Sequence, residues 1–196
     1  MEKIDALPLM AKRRILGIAI PAVNLPLFLL NLYQTITLVQ GGTPLNSLYF
    51  LNGFVISIIS FLMCFGLPWW IPVYPSNYFF TDNGLKLTRF LKSPKVLPFK
   101  NIERVEAFIR EDEEISESAI NYAKASSENL RKLGFKFIDF TNSESNIVLV
   151  FAKNQIYMLS PAKPKSFIKS LKKQTPKLTA KLVELNSRGK TVKELE

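Results

Sequence analysis

A chain of 196 residues with 26 Lys plus Arg, 16 Asp plus Glu and a formal net charge of +10 has room for one compact domain and a small additional element. It contains no histidine and a single cysteine, Cys64. That composition excludes intramolecular disulfides, cysteine–histidine metal clusters and every catalytic arrangement that needs an imidazole base.

The charge is segregated. Ile15 to Thr81 carries no Asp, Glu, Lys, Arg or His, whereas Asp82 to Glu196 holds 22 Lys plus Arg against 14 Asp plus Glu. Soluble helices and loops carry charge wherever they meet water, so a block this long without any implies a different solvent. Within it, Ile15 to Val39 and Leu48 to Trp70 are two apolar runs of spanning length. Gln40 to Ser47 is the polar turn between them, and Trp69, Trp70 and Tyr74 suit a headgroup interface. The first run is too long for a signal-peptide core and no small-residue cleavage pattern follows it, so it is expected to be retained. The expectation is a two-span transmembrane hairpin over 15–74, preceded by a basic N-terminus over 1–14. Lys12, Arg13 and Arg14 before the first span, and Lys86, Arg89, Lys92 and Lys95 after the second, put both termini on the cytoplasmic side of a cell membrane, because the connecting loop has no Lys or Arg. Pro21 and Pro26 imply a kink in the first span, or packing against the second.

From Pro75 onward the pattern becomes short and β-rich. Asn77 to Thr81 and Leu85 to Phe90 flank Asp82-Asn83-Gly84, a strong hairpin signal. Lys95 to Phe99 and Glu103 to Ile109 read as two more strands of an antiparallel meander. An acidic excursion near 111–134, helical or mobile, interrupts the series with Glu111, Asp112, Glu113, Glu114 and Glu117. Strands then resume at Phe135 to Thr141, Ile147 to Ala152 and Gln155 to Leu159, and a helix opened by Ser160-Pro161 and Pro164 carries Phe167, Ile168 and Leu171 on one face. After Thr175-Pro176, the spacing of Leu178, Leu182 and Leu185 predicts a second, short amphipathic helix in a basic tail over 176–196.

The run Tyr78-Phe79-Phe80-Thr81-Asp82-Asn83-Gly84-Leu85, then Leu97-Pro98-Phe99-Lys100-Asn101-Ile102-Glu103-Arg104-Val105, then Ile156-Tyr157-Met158-Leu159-Ser160-Pro161 leading into Phe167-Ile168-Lys169-Ser170-Leu171, resembles the pleckstrin-homology-like (PH-like) domain in its bacterial and archaeal membrane-anchored form. The resemblance covers about residues 75–175. It implies a β-barrel of about seven antiparallel strands closed by a C-terminal α-helix, and a binding or scaffold role in place of an enzymatic one. It also implies a phosphate pocket only where basic residues flank the first hairpin turn. Here that turn is Asp82-Asn83-Gly84, so selective recognition of one inositol lipid is not expected.

No catalytic, cofactor or metal site emerges from the residues. The acidic run lacks the Gly-turned loop of a calcium site, and no Gly-rich phosphate loop opens a helix. What remains is basic: Ser145 to Val183 has eight lysines and no acid. Lys163, Lys165, Lys169, Lys172, Lys173, Lys177 and Lys181 are therefore the candidate contacts to an anionic surface, with lipid headgroups nearest to a tethered domain. Nucleic acid is disfavoured because aromatic residues are not interleaved with these lysines in the way a stacking platform requires. Three functions follow: a membrane-anchored, non-enzymatic binding or scaffold protein serving a protein partner or a lipid surface; an accessory subunit of a larger membrane complex, with Asn24, Asn31 and Asn52 bonding to other spans; or a membrane enzyme acting on lipid or peptide. The first is the reading carried forward, with homo-oligomerisation left open.

Overall fold

The charge-free block folds as two helices, α1 (Ala11–Gln40) and α2 (Leu48–Trp70), of 30 and 23 residues. At 1.5 Å per residue both exceed the roughly 30 Å of a hydrocarbon core. Only 6% of the most apolar window of α1 and 22% of that of α2 is buried by protein, so the apolar side chains of both helices are left for a non-aqueous surrounding. Small residues line the seam between them. Gly53, Ser57, Ser60 and Cys64 of α2 are buried, as is Thr35 of α1, and a Cβ on Gly53 would lie 2.9 Å from the Thr35 hydroxyl. The Asn24 and Asn31 amides donate to carbonyls of their own helix, Ile20 O at 2.9 Å and Leu27 O at 2.8 Å. Pro68 has no N–H to give to Cys64, and α2 widens just before it into one π turn, Leu62–Gly66.

A computed structural model describes residues 1–110, 134–186 and 189–195 of the chain. It divides into two units, residues 11–74 and residues 1–10 together with 75–196. The second unit holds two sheets. β1 (Glu2–Ile4), β2 (Ser76–Thr81), β3 (Gly84–Arg89) and β4 (Lys92–Leu97) form one, in that order and antiparallel. The other is ordered β10-β9-β5-β7-β8-β6, with β5 (Ile102–Arg110), β6 (Lys136–Asp139), β7 (Asn146–Ala152), β8 (Gln155–Leu159), β9 (Thr179–Asn186) and β10 (Gly189–Leu195). Helix α3 (Pro164–Gln174) follows β8.

Alternation explains the first sheet. Tyr78 and Phe80 of β2 alternate with half-buried Asn77, Phe79 and Thr81, and Leu85 and Leu87 of β3 with half-buried Lys86 and Thr88, the period of two that one covered face requires. Gly84 closes the hairpin at φ +148° against the carbonyl of Leu97. Pro98 and a 3-10 turn, Phe99–Asn101, then swing β5 out of this sheet and into the second. Both sheets and α3 share one core, in which Phe167, Ile168 and Leu171 are at most 3% exposed. Burying each contributes about 1.5–3 kcal/mol.

Three expectations are corrected. The sheets are hydrogen-bonded separately and do not close into a barrel, because β5 pairs with β7 and β9 and leaves β4 as an edge. The strands are not all antiparallel: β5 runs parallel to β9, and β6 to β8. Among its described residues the tail forms no amphipathic helix. It supplies β9 and β10, since Ala180, Leu182 and Leu185 are drawn into a sheet covered on both faces. Within the basic N-terminus, β1 pairs with β2. The acidic excursion at 111–133 lies outside the described residues.

The chain leaves this unit at Met10 and returns at Pro75, and one buried residue holds both ends. Asn142 Oδ1 accepts from Ser76 N–H at 2.7 Å, and its amide donates to the Leu7 and Ser76 carbonyls at 3.0 Å each. Its own carbonyl accepts from Met10 N–H at 3.0 Å, and its N–H donates to Ser160 Oγ at 2.7 Å. Beside it the Tyr78 hydroxyl donates to Phe140 O at 2.6 Å, and burial raises the Tyr78 pKa.

Candidate anionic-surface site

The seven lysines singled out by the sequence fall on α3, its flanks and β9, but they are not equivalent. Pro164 starts α3 with its fixed φ, and Lys163 precedes it with its carbonyl taking the Phe167 N–H at 3.0 Å. On the helix, burial of Phe167, Ile168 and Leu171 turns Lys169 and Lys173, one turn apart, to the opposite side. Lys163, Lys169, Lys173 and Lys177 are exposed.

Two of the others are engaged. Lys165 Nζ lies 2.7 Å from Glu184 Oε1, and Lys193 Nζ lies 2.6 Å from Glu184 Oε2. Glu184 is 4% exposed, and hydrogen bonds from Lys165 first and Lys193 second hold its carboxyl below the usual carboxylate range. This cluster pins α3 to β9 and β10. Lys181 on β9 pairs with Glu194 at 3.4 Å, an exposed contact of little energetic weight. Lys172 is half-buried. The site thus reduces to a patch of Lys163, Lys169, Lys173 and Lys177. Glu184 was not foreseen, because an acid in an apolar stretch, Leu182-Val183-Glu184-Leu185, gives no sign of its two distant partners.

The first hairpin turn offers little to a phosphate. Asp82 and Asn83 are exposed at its tip. Arg89, at the far end of β3, is 7% exposed and faces inward, with its Nε donating to Ser76 Oγ at 2.9 Å and its guanidinium 5.3 Å from the Phe140 ring centroid. Lys92 sits over the same ring at 4.7 Å and donates to Asp139 O at 3.2 Å, and burial lowers its pKa. A separate cleft of about 530 Å³ runs between the end of β4 and the β7–β8 turn, with Asn101, Lys153, Asn154 and Gln155 among its lining residues. Among the described residues no three metal-ligating side chains gather.

Two facing β-sheets with a C-terminal helix packed against their shared core define a PH-like unit. The chain belongs to the bacterial PH domain family, whose model matches residues 76–175, from the first residue of β2 to the residue after α3. Comparison with curated proteins and with solved structures gives no match.

Proposed function

We propose that the chain is a membrane-anchored, non-enzymatic binding module, with both termini cytoplasmic, whose PH-like unit lays α3 on an anionic membrane surface. The observation that carries this reading is the patch itself: Lys163, Lys169, Lys173 and Lys177 are exposed, and no acid among the described residues pairs with them. A hydrated ammonium near an anionic leaflet gains about 1 kcal/mol, so four supply a few kcal/mol once α1 and α2 hold the unit at the surface. The orientation rests on Lys12, Arg13 and Arg14 and on the basic stretch after α2.

The test uses a variant without the hairpin. Met10 and Ser76 both bond to Asn142, so a flexible linker of about six residues can join Met10 to Pro75. Exchanging Lys169, Lys173 and Lys177 together for Gln is expected to weaken partition of this variant onto phosphatidylserine vesicles on the order of 100-fold. Lys165→Gln should change it little, because that ammonium is committed to Glu184. Inositol lipid is expected to compete only in proportion to its charge. Unchanged partition of the triple variant would overturn the assignment.

A further inference from the structure

The six-stranded sheet ends in β10, an edge strand paired along its full length with β9 and, among the described residues, with no strand beyond it. Its described side chains, Thr191 to Glu194, are all exposed, and Val192 is 51% exposed. It contains no proline to block pairing. An edge of this length presents a row of unpaired backbone groups, and the register shows which. The ladder closes on the pair Asn186 and Gly189 across a two-residue connection, and a pair in that position exchanges its hydrogen bonds within the hairpin. Residues 190, 192 and 194 therefore direct their N–H and C=O groups away from β9.

We propose that β10 is the docking edge for a second copy of this chain, paired antiparallel about a twofold axis at Val192. Only this register matches all three outward positions, with Val192 opposite Val192 and position 190 opposite position 194 in both directions. It sets position 190, a lysine, of each copy across from position 194, a glutamate, of the other, so the order of charges along the strand complements its own twin. Moving the axis to Lys193 loses one pair and sets the two Lys193 side chains directly opposite each other. The contact is isologous and closes on itself, so it joins two six-stranded sheets and consumes the edge without propagating. One strand pair is a small interface for two free proteins. Copies confined to one membrane meet at high effective concentration, where such a contact suffices.

Cross-linking in membranes tests this with the full chain. With the only native cysteine removed (Cys64→Ala), Val192→Cys places two thiols on residues about 5.5 Å apart at Cα, inside disulfide range, whereas Glu194→Cys places them four residues out of register. Mild oxidation is expected to form Val192→Cys dimers at least about tenfold faster than Glu194→Cys dimers, given that difference in distance. Adding Glu194→Lys to Val192→Cys should slow the reaction, and adding Lys190→Glu as well should restore it. Equal rates at the two positions, no dimer at either, or a rate indifferent to the charge exchange would each overturn the proposal.

Discussion

Asn142→Ala is expected to cost the PH-like unit about 3–5 kcal/mol, because it leaves several buried backbone groups without partners at once. The side chain serves Ser76 N–H, Ser76 C=O and Leu7 C=O, and the residue is 2% exposed, so water does not readily replace it. Asn142→Asp separates loss of volume from loss of bonding. It keeps the acceptor for Ser76 N–H but turns the donor to two carbonyls into a third oxygen, so it should destabilise at least as much as alanine. Thermal unfolding of the full chain in detergent, followed by near-ultraviolet circular dichroism, should show a fall on the order of 10 °C for either variant. A loss below about 1 kcal/mol would mean that the clamp is incidental.

Gly84→Ala should be comparably severe for a different reason. A Cβ there would stand 2.1 Å from the Leu97 carbonyl oxygen and 2.7 Å from its carbon, both backbone atoms of β4. The φ of +148° adds backbone strain that L residues rarely tolerate. Clash and strain together predict a loss of roughly 3–5 kcal/mol. Gly134→Ala is the internal control: φ is +86°, but nothing lies within 4 Å of the added methyl, so only the conformational cost of about 1 kcal/mol applies. The same unfolding experiment should therefore separate the two glycine variants by more than 2 kcal/mol. Equal losses would contradict a close approach of Gly84 to the backbone of β4.

Physical reasons decide what could be read from the sequence. The hairpin was legible because absence of charge over 15–81 is a property of the whole segment, independent of tertiary contacts. The strands from 76 to 89 were legible because each has one covered face, and α3 because Phe167, Ile168 and Leu171 repeat at helical spacing. The tail misled for the opposite reason. In β9 both faces are covered, so Ala180 and Leu182 on one face and Val183 and Leu185 on the other are all buried, and no simple alternation results. The leucines taken alone imitate a helix. Its pairing with β5, parallel and some seventy residues away in sequence, has no local signature. In the site, exposed lysines were visible as composition, but their division into engaged and free ones depends on Glu184. Asn142, just past the strand read over Phe135 to Thr141, gave no sign of its role, because its partners Leu7, Ser76 and Ser160 come from three separate stretches.

Amine footprinting of the full chain in lipid nanodiscs tests the central claim most directly. Brief acetylation followed by mass spectrometry compares each lysine in phosphatidylcholine discs with the same lysine in discs containing phosphatidylserine. The account predicts that anionic lipid slows modification of Lys169, Lys173 and Lys177 several-fold, while exposed Lys95 and Lys153, away from α3, react alike in both. Equal reactivity of the α3 lysines in the two lipids, or protection of Lys95 and Lys153 in their place, would contradict it.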